Sequence, residues 1–294
     1  MASAMEDPEF FKTIGRHFVA LTCRQRLPNT TGIGSYFAAS GFVISIQNEW
    51  FLITAGHIFQ KIEEAKRHGV QFVNWQLDDT FALDRKRSIH VDGPGAPETI
   101  PFDLDSQVLK VHYCEEDRGN DYAFIYLDSY YVSLLQANGV TAFEEKHWVI
   151  NKNERAADRV VIIGLPEDQT EELNHLGLVR KTLVSVPLFR VHNDLEGAEN
   201  LGNEYHASVP DISASGLKGF ESMKGMSGGP VIGFWTQPDG DDKMLVLGIQ
   251  NRWVHTTDTI ICHPVAQVVD HIKATVQALY TEYEKIESRT SDSL

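Results

Sequence analysis

Cysteine is scarce in this 294-residue chain: Cys23, Cys114 and Cys262 are the only three, far apart and odd in number, with no CxxC pair. That supports neither a disulfide framework nor a thiolate zinc site, and it makes a reducing compartment the economical expectation. Positive charge is short as well. Against 26 Lys+Arg stand 41 Asp+Glu, a formal net charge of −15 at pH 7. With no Lys/Arg cluster to offset it, the balance argues against a nucleic-acid partner. No apolar run approaches the ~20 residues of a membrane-spanning helix, so no membrane partner is expected. The opening MASAMEDPEFFKTIG lacks the basic and apolar regions of a secretion signal, which points to a cytoplasmic location. What is present suffices for a core: 42% of residues are hydrophobic and 23% charged, the balance of one large domain or two modest ones.

The hydrophobic patterning comes mostly in short runs. Residues 5–15 place Phe10, Phe11 and Ile14 on one face of a short helix. Short strands are expected at 18–21, 42–46, 51–54, 70–74, 88–91, 107–113, 122–127, 159–164, 178–188, 230–235 and 244–250, with a helix at 58–67. Gln47-Asn48-Glu49 reads as a hairpin turn, residues 27–41 and 189–224 as loops, and 128–147 as a mixed connector. From Val265 to Ile286 the apolar positions Val265, Val268, Val269, Ile272, Val276, Leu279, Tyr283 and Ile286 recur at three- and four-residue steps, the mark of an amphipathic helix. Many short strands and one terminal helix predict a mostly-β protein, sandwich or barrel.

Three segments carry chemistry. In Lys224-Gly225-Met226-Ser227-Gly228-Gly229-Pro230, glycines around one serine permit backbone angles that residues with a Cβ avoid. Such a turn presents a hydroxyl while aiming backbone N–H groups into one pocket, the pairing that acyl transfer needs. On its own it reads equally as a Gly/Ser hairpin loop. WFLITAGH (50–57) sets His57 directly after an apolar strand, and a serine hydroxyl at neutral pH requires such a base. GNDYAFIYL (119–127) places Asp121 at the mouth of another apolar strand. There it serves as a turn cap or as the carboxylate that holds an imidazole's tautomer.

Taken together and in the order His57, Asp121, Ser227, these blocks resemble the trypsin-like (chymotrypsin-fold) serine peptidases, in an intracellular bacterial-type form. SGFVI (40–44), the IGLP stretch of residues 163–166 and Leu247-Gly248-Ile249 match the family as well. The resemblance covers residues 16–275. It implies two packed six-stranded antiparallel β-barrels with a C-terminal α-helix, divided as an N-terminal helical extension (1–15), a first barrel carrying His57 and Asp121 (16–135), a second carrying Ser227 (136–264) and a helix and tail (265–294). It also implies that Ser227 attacks a peptide carbonyl with His57 as base and Asp121 as its orienting acid. The backbone N–H groups of Gly225 and Ser227 would form the oxyanion hole. The substrate would be a polypeptide, and neither metal nor organic cofactor is needed. Lipase-type hydrolases fit poorly, since they place the serine first in the chain.

Departures from the family pattern are informative. Met226 stands where secreted members carry the aspartate that binds a newly cut N-terminus, so activation by that ion pair is excluded. Gly225 is then free to flip, which leaves open a latent enzyme switched on by an activating protein partner, or a silent peptide-binding scaffold. Six residues before Ser227, Glu221 stands where trypsin holds its acid, which implies a Lys/Arg preference if the carboxylate lines the pocket. Its alternative is a solvated loop carboxylate. Asn251 falls where the family's cleft strand meets the catalytic acid and the substrate backbone.

Overall fold

The computed structural model describes residues 8–30, 32, 34–83, 87–91, 99–115, 120–148, 157–173, 178–190, 205–208, 220–237, 242–254 and 256–291. The first half runs α1 (Pro8–Gly15), β1 (Ala20–Arg26), β2 (Ser35–Ala39), β3 (Phe42–Ile46), β4 (Glu49–Thr54), α2 (Gly56–Arg67), β5 (Gln71–Asp78), β6 (Arg87–Val91), β7 (Thr99–Pro101), β8 (Lys110–Glu115), β9 (Asn120–Leu127) and α3 (Ser129–Ala137). The second runs β10 (Arg159–Gly164), β11 (Thr170–Leu173), β12 (Leu178–Thr182), β13 (Val184–Arg190), β14 (Tyr205–Ser208), β15 (Pro230–Thr236), β16 (Asp242–Val254), β17 (Thr259–Pro264) and α4 (Val265–Ser291). Short 3-10 turns sit at Thr80–Leu83, Glu145–His147 and Glu167–Gln169. Among the described residues no helix is long and apolar enough to cross a membrane.

The protein is mostly β with a long C-terminal helix. Its second half is a closed six-stranded barrel, β10-β13-β14-β17-β16-β15. Among the described residues the first half, expected as a six-stranded barrel, holds two four-stranded sheets, β2-β1-β5-β7 and β3-β4-β9-β8, joined at one corner by the antiparallel bridge between Phe18 and Phe42. Side chains of both sheets, among them Leu21, Leu77, Val43, Leu52 and Ile125, share one buried cluster. The opposite face of β3-β4-β9 puts Phe42, Phe51, Ile53 and Phe124 into a second cluster, shared with Val161, Ile163 and Ile232 of the barrel and with Phe11, Ile14, Val265 and Ile272 of α1 and α4. Strands buried on both faces lose polar alternation, which is why β4, β9, β10 and β15 read as unbroken apolar runs. A third cluster fills the barrel with Ile162, Val186, Val231, Ile260, Phe220, Met223 and Met226.

The turn Gln47-Asn48 has φ of 54° and 68°, the left-handed pair that a two-residue hairpin requires. Several local expectations are corrected. The supposed loop at 27–41 contains β2, and the supposed connector at 128–147 contains α3, capped by Asp128, whose carboxylate accepts from the N–H groups of Tyr130 and Tyr131. The single strand expected at 178–188 is two strands in different sheets, β12 pairing with β6 and β13 with β10. Within 189–224, β14 closes the barrel. In α4, Val265, Val268, Val269 and Ile272 are buried whereas Leu279 is exposed; the side chains of Tyr283 and Ile286 lie outside the described residues. The helix also reaches the first half, since the hydroxyls of Tyr113 and Tyr122 meet the two ring nitrogens of His271.

A polar seam ties the halves together. The three-stranded sheet β11-β12-β6 takes strands from both. Lys181 of β12 is fully buried and ion-paired to the fully buried Asp78 of β5, and its ammonium also donates to the Tyr36 hydroxyl (2.9 Å). Burial pushes that ammonium below its usual range, and the Asp78 carboxylate is the charge that keeps it in place. Nearby, Glu172 of β11 accepts from Arg24 (2.8 Å) and from the backbone N–H of Tyr36 (3.0 Å).

His17 precedes the corner bridge. Its ring stacks on Phe143 (centroids 4.0 Å apart), and its Nδ1 donates to the Thr141 carbonyl (2.6 Å). Burial pushes its pKa down to about 3, with His147 and Arg16 adding to the effect. The unfolded chain takes up a proton below about 6.5 that the native chain refuses until about 3. Stability therefore falls as pH drops through that window and the loss levels off below it. We expect roughly 3 kcal/mol less stability at about pH 4 than at neutrality from this group alone. In urea titrations His17→Gln, which keeps a donor but never charges, should flatten that part of the profile; an unchanged slope would exclude His17 as its source.

Candidate active site

β4 ends at Thr54, and Ala55 is the N-cap residue of α2, with no side-chain capping hydrogen bond. The first N–H groups of any helix lack partners within it. Here the carboxylate of Asp121 supplies one: Oδ1 accepts from the His57 backbone N–H (2.7 Å) while Oδ2 accepts from His57 Nδ1 (2.7 Å). One carboxylate thus grips both the backbone and the ring of the same residue. In the neutral ring this contact puts the proton on Nδ1 and leaves the lone pair on Nε2. The sequence reading had His57 following a strand; in the structure it is the second residue of α2. Asp121 reaches it because β9 is paired with β4, Ala123 opposite Thr54. Gly56 makes the approach possible, since a Cβ there would lie 1.8 Å from the Tyr113 carbonyl oxygen of β8. Both side chains are partly exposed, 19% for His57 and 17% for Asp121, open to a ligand yet shielded enough to keep their geometry.

Ser227 lies on the turn that leads into β15. Gly229 N–H donates to the Met226 carbonyl (3.0 Å), and Gly228 N–H to the Gln250 carbonyl of β16 (2.7 Å). Gly228 has φ +91°, and a Cβ on it would fall 2.2 Å from Thr54 Oγ1, 2.3 Å from the Ser40 carbonyl oxygen and 2.9 Å from the Ala55 nitrogen. The residue after Ser227 is therefore pressed against the chain that immediately precedes His57. Ser40 secures the contact: its carbonyl accepts from Thr54 Oγ1 (2.7 Å), its hydroxyl donates to the Gly225 carbonyl (3.0 Å) and accepts from Leu165 N–H (2.9 Å). A histidine–carboxylate pair and a half-buried serine on a glycine turn are thus brought to one seam between the halves.

The remaining candidates fall as follows. Gly225 has φ +91° and sits on the same turn as Ser227. Asn251 is buried, is the extra residue of a bulge where β16 pairs with β17, and its side-chain oxygen has no hydrogen-bond partner among the described residues. Glu221 does not line a buried pocket base: its side chain is exposed, and what it contributes is a backbone N–H given to Asp168 Oδ2 (2.7 Å). Sequence reasoning missed Thr54 and Asp168 and gave Ser40 only a supporting part. Ser40 and Thr54 work through hydrogen bonds within or just beside segments already singled out, whereas Asp168 has no local pattern to mark it.

No protein-family model matches the chain, and no curated protein does. Among solved structures the chain is similar to the protease Anisep from Arthrobacter nicotinovorans, with 14% identity, 85% of this chain and 90% of that one covered, and a TM-score of 0.42. It is similar too to the thermostable serine protease AL20 from an extremophilic microorganism (15% identity, 89% and 98% covered, TM-score 0.44). A third is the Rv3671c protease from M. tuberculosis in its active form (16% identity, 91% and 86% covered, TM-score 0.41).

Proposed function

We propose that the chain is a serine endopeptidase of the trypsin-like kind, with Ser227 as nucleophile, His57 as general base and acid, and Asp121 as the group that orients His57. The observation that carries this reading is the double grip of Asp121 on His57, made beside a glycine turn that bears a serine. In the reaction Ser227 Oγ bonds to the scissile carbonyl carbon and its proton passes to His57 Nε2. The oxyanion takes hydrogen bonds from the N–H groups of Gly225 and Ser227. The C–N bond then breaks as the amine takes the proton from His57, leaving an acyl-enzyme, and water resolves the ester with His57 again as base. The protonated His57 made in each half-reaction is stabilised by Asp121 without proton transfer to it. No step calls for a cofactor.

The substrate is a polypeptide. A Lys/Arg preference through Glu221 is weak in this reading, because a solvent-screened carboxylate contributes at most about 1 kcal/mol to a cation. A fluorophosphonate probe tests the function. It should label the wild-type chain at Ser227 and leave Ser227→Ala unlabelled. A wild-type chain that stays unlabelled under all conditions would overturn the reading in favour of a silent scaffold.

A further inference from the structure

The segment 220–226 sets the backbone that precedes Ser227, and two kinds of force hold it. Phe220, Met223 and Met226 are buried in the barrel interior. Apolar burial fixes how deep the segment sits but is non-directional and does not orient a peptide plane. The directional bonds that residues 221, 222 and 224 take from another element come from the 3-10 turn Glu167–Gln169. Asp168 Oδ2 accepts from the N–H groups of both Glu221 (2.7 Å) and Ser222 (2.9 Å), and Glu167 N–H donates to the Lys224 carbonyl (2.8 Å). A Cβ on Gly225 would lie 2.6 Å from the Leu165 carbonyl oxygen and 2.9 Å from the Glu167 nitrogen, so the segment is seated tightly on this turn.

We infer that the Glu167-Asp168 turn is a built-in clamp that holds the oxyanion loop in its working form, so that no partner or cut N-terminus is needed to form it. The structure has no cis peptide bond among its described residues, and in a planar trans peptide C=O and N–H point in opposite directions. With the Lys224 carbonyl fixed on Glu167 N–H, the Gly225 N–H faces away from the turn and is left available. A flip of this peptide would swing the Lys224 carbonyl away and strand Glu167 N–H. The next carbonyl, that of Gly225, is held in turn by Ser40. Hydrogen bonds from N–H groups to a carboxylate are stronger than neutral ones, which suits Asp168 to the task otherwise given to the acid that Met226 replaces. The exposed Glu167–Lys224 ion pair (2.8 Å) adds little, so the clamp consists of the Asp168 carboxylate and the Glu167 N–H.

The kinetic part of this inference rests on the peptidase reading; the structural part does not. Three variants test both parts. Asp168→Ala removes the acceptor, while Asp168→Asn keeps an oxygen able to take both N–H groups. Glu167→Pro removes the donor N–H with little local cost, because Pro166 has ψ 142°, the range a residue before proline prefers, and proline is favoured at the first position of a helical turn. For Asp168→Ala and Glu167→Pro we expect kcat about 100-fold lower with KM within about threefold, and Asp168→Asn within about threefold of wild type. Amide hydrogen exchange at Met226 and Gly229 should quicken in Asp168→Ala and Glu167→Pro only, with the β4 and β9 amides unchanged as the control for folding. Any other combination overturns the clamp, whether kcat or exchange stays at the wild-type value in those two variants. If the wild type fails the fluorophosphonate test, exchange alone decides: quickening rescued by Asn supports the clamp, and unchanged exchange overturns it.

Discussion

Asp121→Asn is expected to lower kcat by about 10⁴-fold while leaving the fold intact. The reason lies in the double grip. The His57 backbone N–H is always a donor and claims the single amide oxygen of the new side chain, which leaves the amide NH₂ facing His57 Nδ1. Two donors cannot share that bond, so Nδ1 becomes the acceptor and the ring proton moves to Nε2. The nitrogen that receives the Ser227 proton in the proposed mechanism is then already occupied. Steady-state kinetics on a cleaved peptide would read the loss in kcat, with KM little changed. A drop below about tenfold would mean that Asp121 caps α2 but does not set the tautomer, and His57 would lose its place as base.

The second large effect concerns stability. Lys181→Met removes the ammonium and strands the Asp78 carboxylate in a fully buried site, which is expected to cost about 3–5 kcal/mol. That is a large fraction of the roughly 5–15 kcal/mol that holds a typical domain folded. Among the described residues Asp78 then retains the Thr80 backbone N–H and hydroxyl, at 3.2 and 2.6 Å, which do not replace a full opposite charge. Adding Asp78→Asn to Lys181→Met neutralises the stranded group and keeps an oxygen for Thr80, so the double variant should recover most of the loss. Urea unfolding midpoints of the two single variants and the double one close the thermodynamic cycle. A single variant as stable as wild type would show that the pair is not what ties β12 to β5.

Much of this was legible in the sequence, for identifiable reasons. Strands buried on both faces, such as β4 and β10, announce themselves as unbroken apolar runs, and the residues of the candidate site sit at the ends of such runs. The helix α3 escaped notice because its apolar face is thin, with only Leu135 buried, although Asp128 offered a capping signal. The division between β12 and β13 is invisible to hydropathy, because the apolar pattern continues while the chain changes sheets. Glu221 shows the limit of counting residues along a loop, which gives a position but not the direction in which a side chain points. Asp168 was beyond reach altogether: its partner Glu221 lies 53 residues away, and a lone acidic residue near a proline looks like any solvated turn.

The Glu167–Gln169 turn that holds residues 221–224 is continuous with β11, and β11 belongs to the ladder in which strands of both halves are interleaved. Glu172 of β11 is itself tethered to Arg24 and Tyr36 across the seam. The candidate site is therefore wired to the joint that keeps the halves together. Wear at that joint, from heat or from a careless substitution, would silence the proposed turnover while each half still looked folded.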